Sequence, residues 1–194
     1  MEVLAPPFPL PHPGYVAGRW IKPFSVHQIG AGSALSNGNV RLLPFYVPSR
    51  LKIDRIGVRV TTLFAGGNVR CGIYRHDAAL GKPIGAPLCD SGKMSTSAAD
   101  LVEGTVDLTM EPGWYWAGVN SDNTTAVLQT CLSAIPLVAM LCGTPTRSIT
   151  NDAAATSRAV AQFTSAFGAM PTLTDGGVTW GTSTGTGVID MRTA

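Results

Sequence analysis

Between Leu51 and Tyr74 the chain reads LKIDRIGVRVTTLFAGGNVRCGIY, with apolar residues recurring at alternate positions. Ile56, Val58 and Val60 alternate with Gly57, Arg59 and Thr61. After Ala65-Gly66-Gly67-Asn68, Val69, Cys71 and Ile73 alternate with Arg70, Gly72 and Tyr74. A period of two sends successive side chains to opposite faces of a strand, so the stretch predicts a β-hairpin with branched residues inward and arginines outward. One apolar face needs a second layer to cover it, which makes Ile56, Val58 and Ile73 fold-determining.

The alternation returns through Val106, Leu108 and Met110, and Glu111-Pro112-Gly113 predicts a tight turn into Trp114-Tyr115-Trp116. A tyrosine placed just after a Pro-Gly turn resembles the tyrosine corner of Greek-key sandwiches, whose hydroxyl ties back to upstream backbone. Tyr115 should then face inward with Ala117 and Val119, and Trp114 and Trp116 outward. Val40–Val47 reads as a strand with Pro44 inside it, which predicts an edge position. Gly14–Phe24 predicts a short edge strand stopped by Pro23, and GAGSALSNGN a linker. His76–Gly92 reads as a long turn-rich loop. The apolar density from Thr124 to Cys142 predicts a doubly buried strand, a bend at Pro136 and another strand. Asn151–Phe167 reads as either a short amphipathic helix presenting Phe163 and Phe167 or an irregular surface excursion. A last strand through Val188, Asp190 and Arg192 should close a sheet.

The fold class that follows is all-β: an antiparallel β-sandwich of jelly-roll or Ig-like Greek-key type, with an extended proline-rich N-terminal arm and at most one short helix. Residues 1–39 are read as arm and linker, and 40–194 as the sandwich domain. Five prolines among the first fourteen residues fix φ and remove amide donors, so the arm is extended and Pro6, Pro7, Phe8, Pro9 and Pro11 are docking candidates on a partner or neighbouring copy.

Composition narrows the function classes. Charged residues make up 13% of the 194-residue chain and the net charge is +2, with no basic run to track a phosphate backbone; nucleic-acid binding is not expected. A hydrophobic share of 45% with so few charges suits a surface partly hidden against partners or identical copies. The longest apolar run, Cys131–Cys142, is interrupted and too short to span a bilayer, and MEVLAPPFPL lacks the basic and apolar regions of a signal peptide. Membrane insertion and signal-directed export are therefore not expected. Cys71, Cys89, Cys131 and Cys142 lack zinc spacing and read as buried thiols, with disulfides not decidable from their number.

Candidate chemistry is sparse. His76 beside Asp77 has no paired nucleophile and reads as a turn cap. Gly181-Thr182-Ser183-Thr184-Gly185 fits the hydrolase G-x-S-x-G pattern, but no histidine follows to complete a triad in that order. The acidic residues form no recognisable pair, and His12, His27 and His76 stand apart. No catalytic residue, metal ligand or cofactor is expected. Two outward tryptophans remain: Trp114 and Trp116, with Asn120 and Asp122 nearby, read either as an aromatic platform for a sugar ring or protein partner, or as side chains covered by a loop or neighbouring subunit.

The order G-x-W-I-x-P-F, P-F-Y-V-P, I-D-R-I-G-V-R-V-T, R-C-G-I-Y and P-G-W-Y-W, across about residues 14 to 120, resembles a β-sandwich module of tail-fibre and minor virion proteins of tailed bacteriophages. What the resemblance implies is a non-enzymatic virion protein, homotrimeric, with other virion proteins of capsid or tail as partners; the missing signal peptide suits assembly in the host cytoplasm. Two placements follow: a fibre or tail tip engaging a host surface glycan or protein, and a capsid decoration, cement or head-fibre protein stabilising the shell. A glycan-processing enzyme is the reading with least behind it, for want of a carboxylate pair.

Overall fold

The computed structural model describes residues 12–22, 29–34, 37–131, 160–181 and 186–194. In chain order the strands are β1 (Trp20–Ile21), β2 (Ile29–Ala34), β3 (Asn39–Val47), β4 (Leu51–Thr62), β5 (Asn68–Asp77), β6 (Lys82–Asp90), β7 (Met94–Ser95), β8 (Leu101–Met110), β9 (Gly113–Ser121), β10 (Val127–Cys131), β11 (Val160–Thr164), β12 (Val178–Gly181), β13 (Thr186–Gly187) and β14 (Ile189–Thr193). They form two packed antiparallel sheets, an all-β sandwich. Sheet I is built on β4, which pairs with β8, β14 and, at Val60 and Thr62, β10; β1 lies beyond β14, and β2 and β13 join β10. Sheet II runs β12-β11-β3-β9-β5-β6, with β7 beside β5.

The alternating residues are where the pattern put them. Ile56, Val58 and Val60 of β4, Val69, Cys71 and Ile73 of β5, and Val106, Leu108 and Met110 of β8 are buried in one core between the sheets. Their pairing differs from the expectation. β4 and β5 belong to different sheets, so Leu51–Tyr74 is an arch between layers rather than a hairpin. Alternation fixes which face of a strand is buried; two apolar faces opposed across a core satisfy it as well as two strands side by side. The arch turns at Gly66, whose φ of +83° suits glycine, and is tied by mutual backbone bonds linking Phe64 and Gly67 to Thr96. Glu111-Pro112 likewise carries the chain from β8 in sheet I to β9 in sheet II.

Ile53 and Ile56 both face the core although two residues, an even number, lie between them. The register shifts between Ile53 and Arg55, where a bulge gives β4 one residue more than β14 and one fewer than β8, turning Asp54 and Arg55 outward together. Each then finds a partner: Arg192 donates twice to Asp54, at 2.9 and 2.6 Å, and Arg55 donates to Glu103 at 2.7 Å.

Tyr115 is half-buried against the core, and its hydroxyl donates to the Glu111 carbonyl at 2.9 Å, closing the corner four residues upstream. Tyr115→Phe should lower stability by about 1 kcal/mol, the usual net worth of one hydrogen bond. Equilibrium urea unfolding would register this as a lower midpoint at unchanged slope.

Other expectations are corrected. Pro44 lies within sheet II, but β11 pairs only with Asn39–Leu42, so Pro44 occupies the part of β3 that β11 does not reach. The boundary expected at residue 39 falls inside paired structure. β1 pairs with β14, Ile29–Ala34 of the expected linker is β2 paired with β10, and Asn39 opens β3. The expected loop His76–Gly92 is mostly β6, paired with β5 through a turn in which Asp77 Oδ1 accepts from the Ala79 and Leu80 amides. Val160–Thr164 is a strand rather than helix, because Val160 and Ala161 bury against sheet II neighbours. Pro6, Pro7, Phe8, Pro9, Pro11, residues 132–159 and the Gly-x-Ser-x-Gly segment from 182 to 185 lie outside the described residues.

The connection Ser165–Gly177 is the least expected element. It leaves β11, next to the β12 edge of sheet II, crosses the outer face to β6 at the other edge, where Leu173 and Gly85 exchange backbone hydrogen bonds, and returns to β12. Asp90 accepts from Arg70 and from the Met170 amide, and the Tyr74 hydroxyl donates to the Pro171 carbonyl at 2.9 Å. Gly72 and Gly118 are cross-strand partners, and the Met170 side chain fills the space their missing side chains leave. Sheet II is therefore packed on both faces, with Val40, Leu42, Tyr74, Trp116, Met170, Leu173 and Val178 forming a second core.

Candidate functional site

The outer face of sheet II carries the aromatic residues singled out by sequence. The structure separates the tryptophan pair. Trp116 has 0% of its surface exposed; its indole N–H donates to His76 Nδ1 at 3.0 Å, and its ring lies against those of His76 and Trp180. A joint Trp114–Trp116 platform is thus corrected: the Ser165–Gly177 connection, a strap across the sheet, and β12 bury the second ring. Asn120 is fully buried too, and its side-chain amide has no hydrogen-bond partner among the described residues. Asp122 serves the loops, accepting from the Asn68 amide at 2.8 Å, the Asn68 side chain at 2.7 Å and Asn123 at 2.9 Å. Burial works to raise its carboxyl, but the bonds from Asn123 and Asn68 outweigh it and hold the pKa below its ordinary value.

Trp114 keeps a partly open face and gains a partner that sequence did not suggest. Tyr46, directly opposite it on β3 and 49% exposed, stands with its ring centroid 5.3 Å away and tilted 54°. Alternation places Tyr46 outward in P-F-Y-V-P, but the juxtaposition depends on β3 lying beside β9, which local sequence does not encode. Phe45 and Tyr115, one residue along in each strand, stack on the inner face and anchor both strands in the main core. The exposed pair is therefore rigidly mounted.

His76 is structural. Accepting from Trp116 requires an unprotonated Nδ1, and burial lowers the ring's pKa below 6.5, with Asp77 opposing. Because the folded pKa is the lower one, the unfolded chain binds this proton more readily. The contribution is complete above about pH 6.5 and is lost as pH falls through the folded value. The denaturation midpoint should therefore fall between pH 7.5 and pH 5.5, and His76→Gln should flatten that slope. An equal slope in the variant would contradict the assignment.

Cys71 and Cys89 are inert: burial raises the Cys71 thiol well above its ordinary pKa and pushes Cys89 up to about 12, and both are free. Among the described residues no cluster of three His, Cys, Asp or Glu side chains is placed to hold a metal ion, and no helix is long and apolar enough to cross a membrane. The outer face of sheet I is a ladder of ion pairs: Lys22–Asp190, Arg192–Asp54, Arg55–Glu103 and Lys52–Asp107.

No family model matches the chain, and no curated protein or solved structure matches it. Fold and face together define a two-sheet β-sandwich with an open aromatic pair on one outer surface.

Proposed function

We propose that the chain is a non-enzymatic structural protein of a tailed-bacteriophage virion, displayed on the particle surface as a fibre or tail-tip component and used in host attachment. The observation that carries this reading is the open Tyr46–Trp114 pair, held on two central strands of a doubly covered sheet. Rigid aromatic surface recognises sugar rings and protein partners with little entropy lost on binding. The motif residues behind the resemblance support it as packing positions: Phe45, Val47, Ile53, Ile56, Val58, Val60, Cys71 and Ile73 all lie in the main core. Assembly as a homotrimer in the host cytoplasm, and docking on other virion proteins through Pro6, Pro7, Phe8, Pro9 and Pro11, belong to the same proposal.

The test is competition. Purified protein added to host cells before infection should reduce phage adsorption, and the double variant Tyr46→Ser, Trp114→Ser should lose at least about tenfold in potency, as expected when a pair of aromatic anchors is removed. The circular-dichroism spectrum should stay that of the parent. Absence of competition, with particles that lose stability when the chain is deleted, would overturn attachment in favour of a capsid cement.

A further inference from the structure

The opposite surface of the sandwich holds a separate feature. A hollow of about 460 Å³ opens on the outer face of sheet I, lined by Trp20, Lys22, Arg59, Leu101, Gln129 and Asp190. Its size is that of a small-ligand cleft. Register explains the convergence: Trp20 is opposite the outward Arg192, Arg59 is opposite Leu101, and Gln129 follows the inward Leu128, so the six side chains share one face.

We propose that this hollow binds a sugar bearing a single carboxylate. Trp20, 37% exposed on edge strand β1, offers an indole face to the C–H groups of a pyranose ring, with Leu101 as a second apolar wall. Asp190 is buried and held by Lys22 at 2.5 Å; its remaining lone pairs, with the donor and acceptor of Gln129, suit sugar hydroxyls. The acidic group is assigned by Arg59. On the neighbouring strand positions Lys52, Arg55 and Arg192 each hold a carboxylate, whereas Arg59 is exposed and holds none among the described residues. A guanidinium fork matches a carboxylate in bidentate geometry. Two cations against one carboxylate leave the hollow with one uncompensated positive charge, which suits one negative charge on the ligand. A bare inorganic anion would leave Trp20 and Leu101 unused, and a wholly apolar ligand would strip water from Asp190 and Gln129 without replacement.

This site stands apart from the Tyr46–Trp114 face, so either assignment can fail alone. Saturation-transfer NMR on the whole protein should show glucuronic acid, galacturonic acid or N-acetylneuraminic acid bound, with indole fluorescence changing in step. Glucose and N-acetylglucosamine should bind at least about tenfold more weakly, and Arg59→Gln should abolish that preference, the expected effect of losing a charge-assisted hydrogen bond. Arg59 has no ion-pair partner to lose among the described residues, so the variant keeps its fold; Trp20→Ala should weaken acidic and neutral sugars alike. The proposal is overturned if no acidic sugar gives saturation transfer, if acidic and neutral sugars bind equally, if Arg59→Gln leaves the preference intact, or if adenosine monophosphate outcompetes the acidic sugars.

Discussion

Trp116→Ala is expected to destabilise the protein by about 3–5 kcal/mol, the range for removing a large aromatic side chain from a packed interior. Three consequences of the same burial add up. The indole fills the space between sheet II and the strap; its N–H satisfies His76 Nδ1; and its ring supports Trp180 at 6.2 Å between centroids. Deletion leaves a cavity, an unpaired half-buried acceptor and a loosened β12. Guanidinium unfolding would show a much lower midpoint, with loss of protection on the strap. Trp114→Ala, two residues away and on the same face, should cost far less, because its ring is partly open and its main neighbour is the exposed Tyr46. Similar losses for the two variants would contradict the burial asymmetry on which the aromatic face rests.

Gly104→Val should be the most damaging glycine substitution, at about 3 kcal/mol or more. Gly104 pairs with Ile56 on β8, and a Cβ there would run into the backbone carbonyl and side chain of Ser91. Neither element can yield easily. Ser91 Oγ accepts from the Cys71 amide at 2.9 Å and donates to the Gly92 carbonyl at 2.9 Å, tying the β6–β7 connection to the core strand β5. For a chain of this size the loss corresponds to roughly 6–12 °C in thermal midpoint. Gly176→Ala serves as the control, since a Cβ at that position meets nothing within 4 Å.

These two positions illustrate what alternation can and cannot convey. Ile56, Val58, Val60, Val106, Leu108 and Met110 were legible as buried because a strand's two faces are written into residue order. The corner at Tyr115 was legible because Pro112-Gly113 fixes the turn locally. Partner choice was not, since β4 pairs with residues as distant as Leu101 and Thr193 and not with the adjacent β5. The bulge at Asp54–Arg55 was hidden because it changes phase without a glycine or proline to mark it. Trp116 was read as outward, which is correct for its strand; its burial comes from Ser165–Gly177, whose Thr, Gly and Pro composition gives no period and reads as surface. Tyr46 was missed for the same reason as the arch: its importance lies in the strand beside it. Polar candidates such as His76 and Asp122 turned out to bind the fold's own groups, an outcome that depends on three-dimensional neighbours and so has no local signature.

The proposal that this chain works as an exposed virion surface, without chemistry of its own, is tested most directly by immunogold electron microscopy on purified particles of the tailed phage proposed to encode it, using antibody raised against the folded protein. The account predicts label at regular positions on the outside of intact, washed particles, with accessibility that is lost when the antibody is first absorbed with the protein. Particles that carry no label, with the protein recovered instead from the infected-cell lysate, would contradict it.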